Sequence, residues 1–185
     1  MRIDDDSDMK IAGDDFGPAG AGNEEESVEA TARLLEQEKQ NGNLSRARRL
    51  GAIMAEDVTA IEGDGMTVDS ALLTQRRILL AFAVEVGLDA FLPNNLVAQT
   101  AQNIFYNTLH ITAPSFYDDL QESGAFSFYY LCVRDGRQVE RRVGETFASL
   151  CGKAGNEEYA RMGQELYIHF IAQVKQFTDT LEFIR

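Results

Sequence analysis

The sequence predicts an all-α fold: an irregular bundle of six to eight helices with a long C-terminal helix and a flexible acidic N-terminal tail. Apolar residues recur at helical spacing along most of the chain, and Asn, Pro and Gly stand where helices would begin or end. The stretch from Thr67 to Leu92 is apolar on more than one face, which is typical of a helix buried among others.

The N-terminal segment differs from the rest of the chain in its charge. Residues 1–29 carry ten acidic and two basic side chains, which is −8 of the total net charge of −13. Residues 1–22 contain few large apolar side chains, so we expect a flexible tail ahead of a single helical domain over residues 23–185. The acidic balance repels phosphate backbones and anionic lipid surfaces, which disfavours nucleic acid and membranes as partners.

The first two helices are marked by capping residues. Asn23, followed by Glu26, forms a capping-box pattern that predicts the start of the first helix, and Asn41-Gly42 predicts its end. Ser45 is the expected cap of a second helix, whose apolar positions keep the helical period to about Ile61.

The central helix is predicted from Thr67, its expected cap, to Leu92. Beyond Arg77 it carries only two charges, Glu85 and Asp89, which share one face because they are four residues apart. Should these carboxylates be buried together, they would be the first place to look for a functional site. Two shorter helices are predicted next, over residues 94–110 and 114–122.

The segment from Ala125 to Val143 allows two interpretations. The run FSFYYLCV is rich in strand formers, and Asp135-Gly136 is a hairpin signal. An isolated hairpin is marginally stable, however, and the chain offers no further strand. We therefore favour two helices joined at Asp135-Gly136, the second running from about Gln138 to Cys151.

The last helix is predicted from Asn156 to the C-terminus. Its apolar residues alternate steps of four and three, as in a coiled-coil seam. The seam predicts an oligomer face made by Phe170, Val174, Phe177 and Leu181.

Two sets of residues could form a binding site. The first is an aromatic cluster that forms either part of the core or an apolar pocket or partner groove: Phe126, Phe128, Tyr129 and Tyr130, with Phe116 and Tyr117 nearby. Within it, the expected ligand or partner pocket consists of Phe126, Tyr129, Tyr130 and Phe116.

A mononuclear metal site is a second hypothesis. Glu165 and His169 share a helix face, and His110 could act as a third ligand. The spacing differs from that of di-metal bundle proteins.

The sequence contains no phosphate-binding loop, zinc spacing or nucleophile motif, so it predicts no cofactor and favours a non-enzymatic protein. The leading hypothesis is a protein-protein interaction or scaffold protein that forms homo-oligomers. The alternatives are a small-ligand or metal-binding bundle and an acidic regulatory protein. Two cysteines outside any C-x-x-C pair, and an N-terminus without an apolar stretch, predict a cytoplasmic protein.

Overall fold

A computed structural model describes residues 21–61 and 70–185, and this part of the chain is all-helical, as predicted. It contains eight helices: α1 Ala21–Gln40, α2 Asn43–Ala60, α3 Ser70–Phe91, α4 Asn95–Thr112, α5 Pro114–Glu122, α6 Ala125–Val133, α7 Val139–Leu150 and α8 Glu157–Thr180. None of these helices is long and apolar enough to cross a membrane. Residues 1–20 of the predicted tail and the expected cap Thr67 lie outside the described residues.

The chain divides by its contacts into Met1–Glu36 and Gln37–Arg185. The first unit contributes most of α1 to the described residues, and the second contains all the other helices. This division falls inside the first helix, and the domain start at residue 23 stays a prediction.

Helix α3 is the centre of the second unit, as the sequence predicted. It packs against α2, α4, α6, α7 and α8, and its seven consecutive residues 78–84 are all buried. A helix surrounded in this way must be apolar on every side, because each buried large apolar side chain contributes about 1.5–3 kcal/mol relative to an exposed one. This explains why its hydrophobic residues form no single stripe.

Two helix pairs approach so closely that they require glycine. A Cβ atom on Gly51 of α2 would collide with the carbonyl oxygen of Ala101 on α4. A Cβ atom on Gly144 of α7 would collide in the same way with the carbonyl oxygen of Ala160 on α8. These pairs, α2 with α4 and α7 with α8, form the two most extensive helix contacts of the unit.

The prediction of two helices across residues 125–151 is confirmed. Helices α6 and α7 are joined by a turn in which Gly136 has a positive φ of 63°. The strand-forming residues of α6 adopt a helix because helical spacing lets Phe126, Tyr129 and Tyr130 all reach α3.

Several predicted boundaries were wrong. Helix α1 begins at Ala21, two residues before the expected cap Asn23. Helix α2 begins at Asn43 after Gly42, which has a left-handed φ of 74°, so Ser45 lies inside the helix and is not its cap. The last helix starts as predicted, with Asn156 accepting from the backbone of Glu158 and Tyr159, but it ends at Thr180.

A buried polar cluster accounts for the last two corrections. The Asn43 carboxamide donates to Glu38 Oε2 at 2.6 Å and to the Ile184 carbonyl at 2.7 Å, and it accepts from the Ile184 amide at 3.0 Å. Asn94 donates to the other Glu38 oxygen at 2.7 Å. The chain must leave the helix after Thr180 to make these bonds. Glu182, two residues later, has a positive φ of 52°, which turns the backbone out of the helix.

Candidate functional site: a groove between α6 and α7

One face of α6 is anchored in the core by aromatic side chains. The Phe82 ring of α3 lies 5.5 Å from Phe126, 5.1 Å from Tyr129 and 5.2 Å from Tyr130, measured between ring centroids. Stacked and edge-to-face pairs at these distances are favourable beyond their burial. Three residues of the predicted aromatic pocket therefore come together, and they pack around Phe82.

The fourth predicted pocket residue, Phe116, is elsewhere. It is buried on α5, where the Arg77 guanidinium lies 5.7 Å from its ring centroid. This cation–π contact joins α5 to α3. Phe116 therefore belongs to a separate contact and does not join the α6 aromatic residues.

A carboxylate fixes α6 from a second direction. Glu85 of α3 accepts hydrogen bonds from the hydroxyl groups of Tyr106 on α4 and Tyr130 on α6, one on each oxygen. Burial, with Glu85 close by, raises the pKa of both phenols, so both stay protonated and donate. Asp89 is exposed and accepts from Gln102 at 2.9 Å, so the two carboxylates are not buried together.

The opposite face of α6 forms a groove with α7. The cavity is about 520 Å³ and is lined by Phe128, Leu131, Cys132, Arg142, Glu145, Thr146, Ser149 and Leu150. On each helix the lining positions, some of them adjacent pairs, recur every three or four residues, so each wall is a continuous face. Phe128 and Leu131 are 55% and 54% exposed, although both are large and apolar.

The floor of the groove contains a buried thiol. Cys132 Sγ lies 3.3 Å from the Phe128 carbonyl, to which it donates, and 3.2 Å from the Thr146 hydroxyl. Neither Cys132 nor Cys151 takes part in a disulfide within the described residues. No histidine or carboxylate is bonded to Cys132 among the described contacts, so its environment resembles that of a packed thiol rather than an activated nucleophile.

The rim of the groove carries two ion pairs. Arg142 contacts Asp135 at 3.2 Å and also donates to the Leu131 carbonyl at 2.7 Å. Arg141 contacts Glu145 at 2.9 Å. The Arg142 contacts therefore join the end of α6 to α7.

The turn between the walls and the first turn of α7 together are positively charged. Residues 134–142 contain four arginines and two acids, a net charge of +2 in a chain whose total is −13. Arg134 and Arg137 are exposed, and neither forms an ion pair within the described part of the chain. Arg134 follows Leu131 by three positions, so it extends the α6 wall of the groove.

The predicted metal ligands do not converge. Glu165 and His169 are exposed on α8, whereas His110 is exposed on α4 with its ring 5.0 Å from that of Tyr117. Within residues 21–61 and 70–185, no group of three His, Cys, Asp or Glu side chains is arranged to hold a metal ion.

The predicted oligomer face points mainly inward. Phe170 and Val174 are buried in the core, and Phe177 and Leu181 are partly buried against it. The heptad pattern of α8 thus coincides with packing inside the chain. Self-association stays a prediction, but Phe170 and Val174 offer almost no exposed area for it.

Of the two groove residues, Phe128 was predicted as a member of the aromatic cluster, whereas Leu131 was not predicted. The sequence carried a signal for both residues: they are three positions apart on a helix, and neither belongs to the set 126, 129 and 130 that faces α3. Once α6 is a helix, two large apolar residues remain on its outer side.

The chain matches no protein-family model, no curated protein and no solved structure.

Proposed function

We propose that this protein is a non-enzymatic interaction module that docks an acidic amphipathic helix of another polypeptide in the groove between α6 and α7. The single observation that carries the proposal is the pair of large apolar side chains, Phe128 and Leu131, exposed on the groove wall. Exposed apolar side chains that cluster at a concave site are typical of protein interaction surfaces.

The dimensions of the groove support a helix as its occupant. Helices α6 and α7 have 9 and 12 residues and are therefore about 14 Å and 18 Å long at 1.5 Å per residue. A docked helix presents anchors at positions i, i+3 or i+4 and i+7, which span about 11 Å. Two helical turns of a partner would therefore fit along either wall.

The charge of the rim supports an acidic partner. Arg134 and Arg137 lie in the turn that joins the two groove helices, and neither forms an ion pair within the described structure. Glutamates flanking the apolar anchors would complement them. Such rim contacts set specificity and association rate more than affinity, because both charges remain in water.

Packing against the partner would supply much of the affinity. About half of each side chain is already buried, so covering the rest of Phe128 and Leu131 should contribute roughly 1–1.5 kcal/mol each. This is small against the cost of association, about 4–15 kcal/mol. We therefore expect weak, reversible binding.

The proposal can be tested with a labelled synthetic helix. The probe is a fluorescein peptide with leucines at i, i+4 and i+7 and glutamates on the flanking positions, with a lysine-flanked peptide for comparison. Fluorescence anisotropy should show saturable binding of the acidic peptide only. Leu131→Glu should weaken it at least tenfold, because a charge would be placed on the apolar wall.

Ile111→Glu is the matched control. Ile111 is 78% exposed on α4 and does not line the groove, so this variant adds the same charge at another exposed apolar site. Its binding should equal that of the wild type. Equal losses from Ile111→Glu and Leu131→Glu, or no saturable binding by the wild type, would rule out the groove as the docking site.

A further inference from the structure

We propose, on the basis of the function just proposed, that the helix docked in this groove is α1 of a second copy of the chain. The protein would then self-associate through α1 of one copy and the α6–α7 groove of another. The partner chemistry deduced from the groove, an acidic helix with one apolar stripe, is found in the sequence of α1 itself.

Helix α1 carries an exposed apolar stripe. Val28 is 69% exposed and Leu35 is 46% exposed, and the two are seven residues apart, so they share one helix face. Ala32, also exposed, lies between them on that face. The spacing i, i+4 and i+7 is the anchor pattern that a groove between helices accepts.

The stripe matches the groove in length. Val28 and Leu35 are separated by about 11 Å along the helix axis at 1.5 Å per residue. The nine residues of α6 extend for about 14 Å, so both anchors can contact its exposed wall. Phe128 and Leu131 would be covered by the same contact that covers Val28 and Leu35.

The charges are also complementary. Residues 21–36 contain five glutamates and one arginine, a net charge of −4. The arginine, Arg33, is already bonded to Glu29 at 3.1 Å. Residues 134–142 beside the groove have a net charge of +2. Opposite charges on the two surfaces favour this pairing over an arbitrary apolar contact.

Each copy supplies one α1 and one groove, so the two can be satisfied by exchange between copies. Reciprocal exchange closes a two-fold dimer, in which both apolar surfaces are covered. We therefore expect a dimer as the closed assembly. Its mass is twice the 20.6 kDa of the chain.

Sedimentation velocity on the full chain, from about 1 to 500 μM, tests the inference. The wild type should shift from monomer to dimer mass with rising concentration. Leu35→Glu and Leu131→Glu should each raise the dissociation constant at least tenfold. Ile168→Glu, at a 49% exposed position of α8, is the matched control and should dimerise as the wild type does.

Mixing the two weakened variants provides a second measurement. Leu35→Glu keeps an intact groove and Leu131→Glu keeps an intact α1, so a mixed dimer contains one undamaged contact. The equimolar mixture should therefore associate more strongly than either variant alone. A variant that had merely misfolded would give no such recovery, and circular dichroism would confirm that both retain their helices.

The outcomes separate this inference from the proposed function. The inference is overturned if the wild type stays monomeric throughout the series. It is also overturned if both Leu35→Glu and Leu131→Glu dimerise as well as the wild type does. Binding of the synthetic acidic peptide would in that case still support the groove as a docking site for another protein. If the synthetic peptide does not bind but the two substitutions still weaken dimerisation, the groove serves self-association only.

Discussion

The Glu85 carboxylate receives one hydrogen bond from Tyr106 and one from Tyr130, so a single side chain of α3 joins α4 and α6. Hydrogen bonds to a charged acceptor are about twice as strong as neutral ones. Because Tyr130 lies on the inner side of α6, its bond helps set the position of the wall that carries Phe128 and Leu131.

Removing each phenol should have unequal effects. Tyr106 is partly buried whereas Tyr130 is 39% exposed, so water can replace the second bond more easily. We expect Tyr106→Phe to lower the free energy of unfolding by about 2 kcal/mol and Tyr130→Phe by about 1 kcal/mol in urea denaturation. Tyr117→Phe, on α5, is the control, since Tyr117 makes no bond to Glu85. Unchanged stability in both variants would contradict the role of Glu85.

The position of Glu85 on its helix could be predicted from the sequence, but its two hydrogen-bond partners could not. The spacing of Glu85 and Asp89 placed both on one face, which is correct for the helix but does not say what surrounds that face. The two phenols lie 21 and 45 residues away from Glu85 along the chain. Partners at such separations are set by helix packing, which no local pattern encodes.

At the scale of helices, the contact between α7 and α8 depends on Gly144. The residue is buried in α7, and a Cβ atom there would collide with the backbone of α8 at Ala160. Intrinsic helix propensity favours alanine over glycine by about 1 kcal/mol, whereas separating the two helices exposes apolar surface. The two effects change the free energy of unfolding in opposite directions, so the stability of a Gly144→Ala variant shows which of them is larger.

We expect Gly144→Ala to lower the free energy of unfolding by about 2–3 kcal/mol, because the steric cost exceeds the gain in helix propensity. Thermal and urea denaturation measure the change. The control is Ser149→Ala, at an exposed position of the same helix, which should alter stability by less than about 0.5 kcal/mol. A more stable Gly144→Ala protein would show that the helices separate without cost.

Helix type was predictable from sequence, whereas several helix ends were not. The aromatic residues of α6 repeat at helical spacing, and this pattern correctly outweighed their strand propensity. The start of α2 and the end of α8 are set instead by the bonds between Asn43 and Ile184, two residues from opposite ends of the second unit. A local capping signal such as Ser45 cannot anticipate a partner so far away.

For the molecule as a whole, phenols that are fully or partly removed from water set the response to alkali. Burial is the main cause that raises the pKa of Tyr106, Tyr129, Tyr130 and Tyr167. In the unfolded chain these groups titrate near pH 10. Since the folded pKa is the higher one, their contribution to stability is complete below about pH 10 and declines as the pH rises above it.

We therefore expect the free energy of unfolding to fall above about pH 10 as these four tyrosines become easier to ionise in the unfolded chain. Absorbance at 295 nm, which reports phenolate, should rise for them only as the helical signal at 222 nm is lost. If all four ionised near pH 10 while the helical signal stayed intact, their burial would not hold in solution.

The bonds between Asn43 and Ile184 also affect how long the folded state lasts. They join residues 141 positions apart, so closing them requires most of the chain to be ordered already. Contacts that form after the transition state leave the folding rate almost unchanged and slow unfolding instead. We expect the Asn43 carboxamide to act on the lifetime of the native protein rather than on the speed with which it forms.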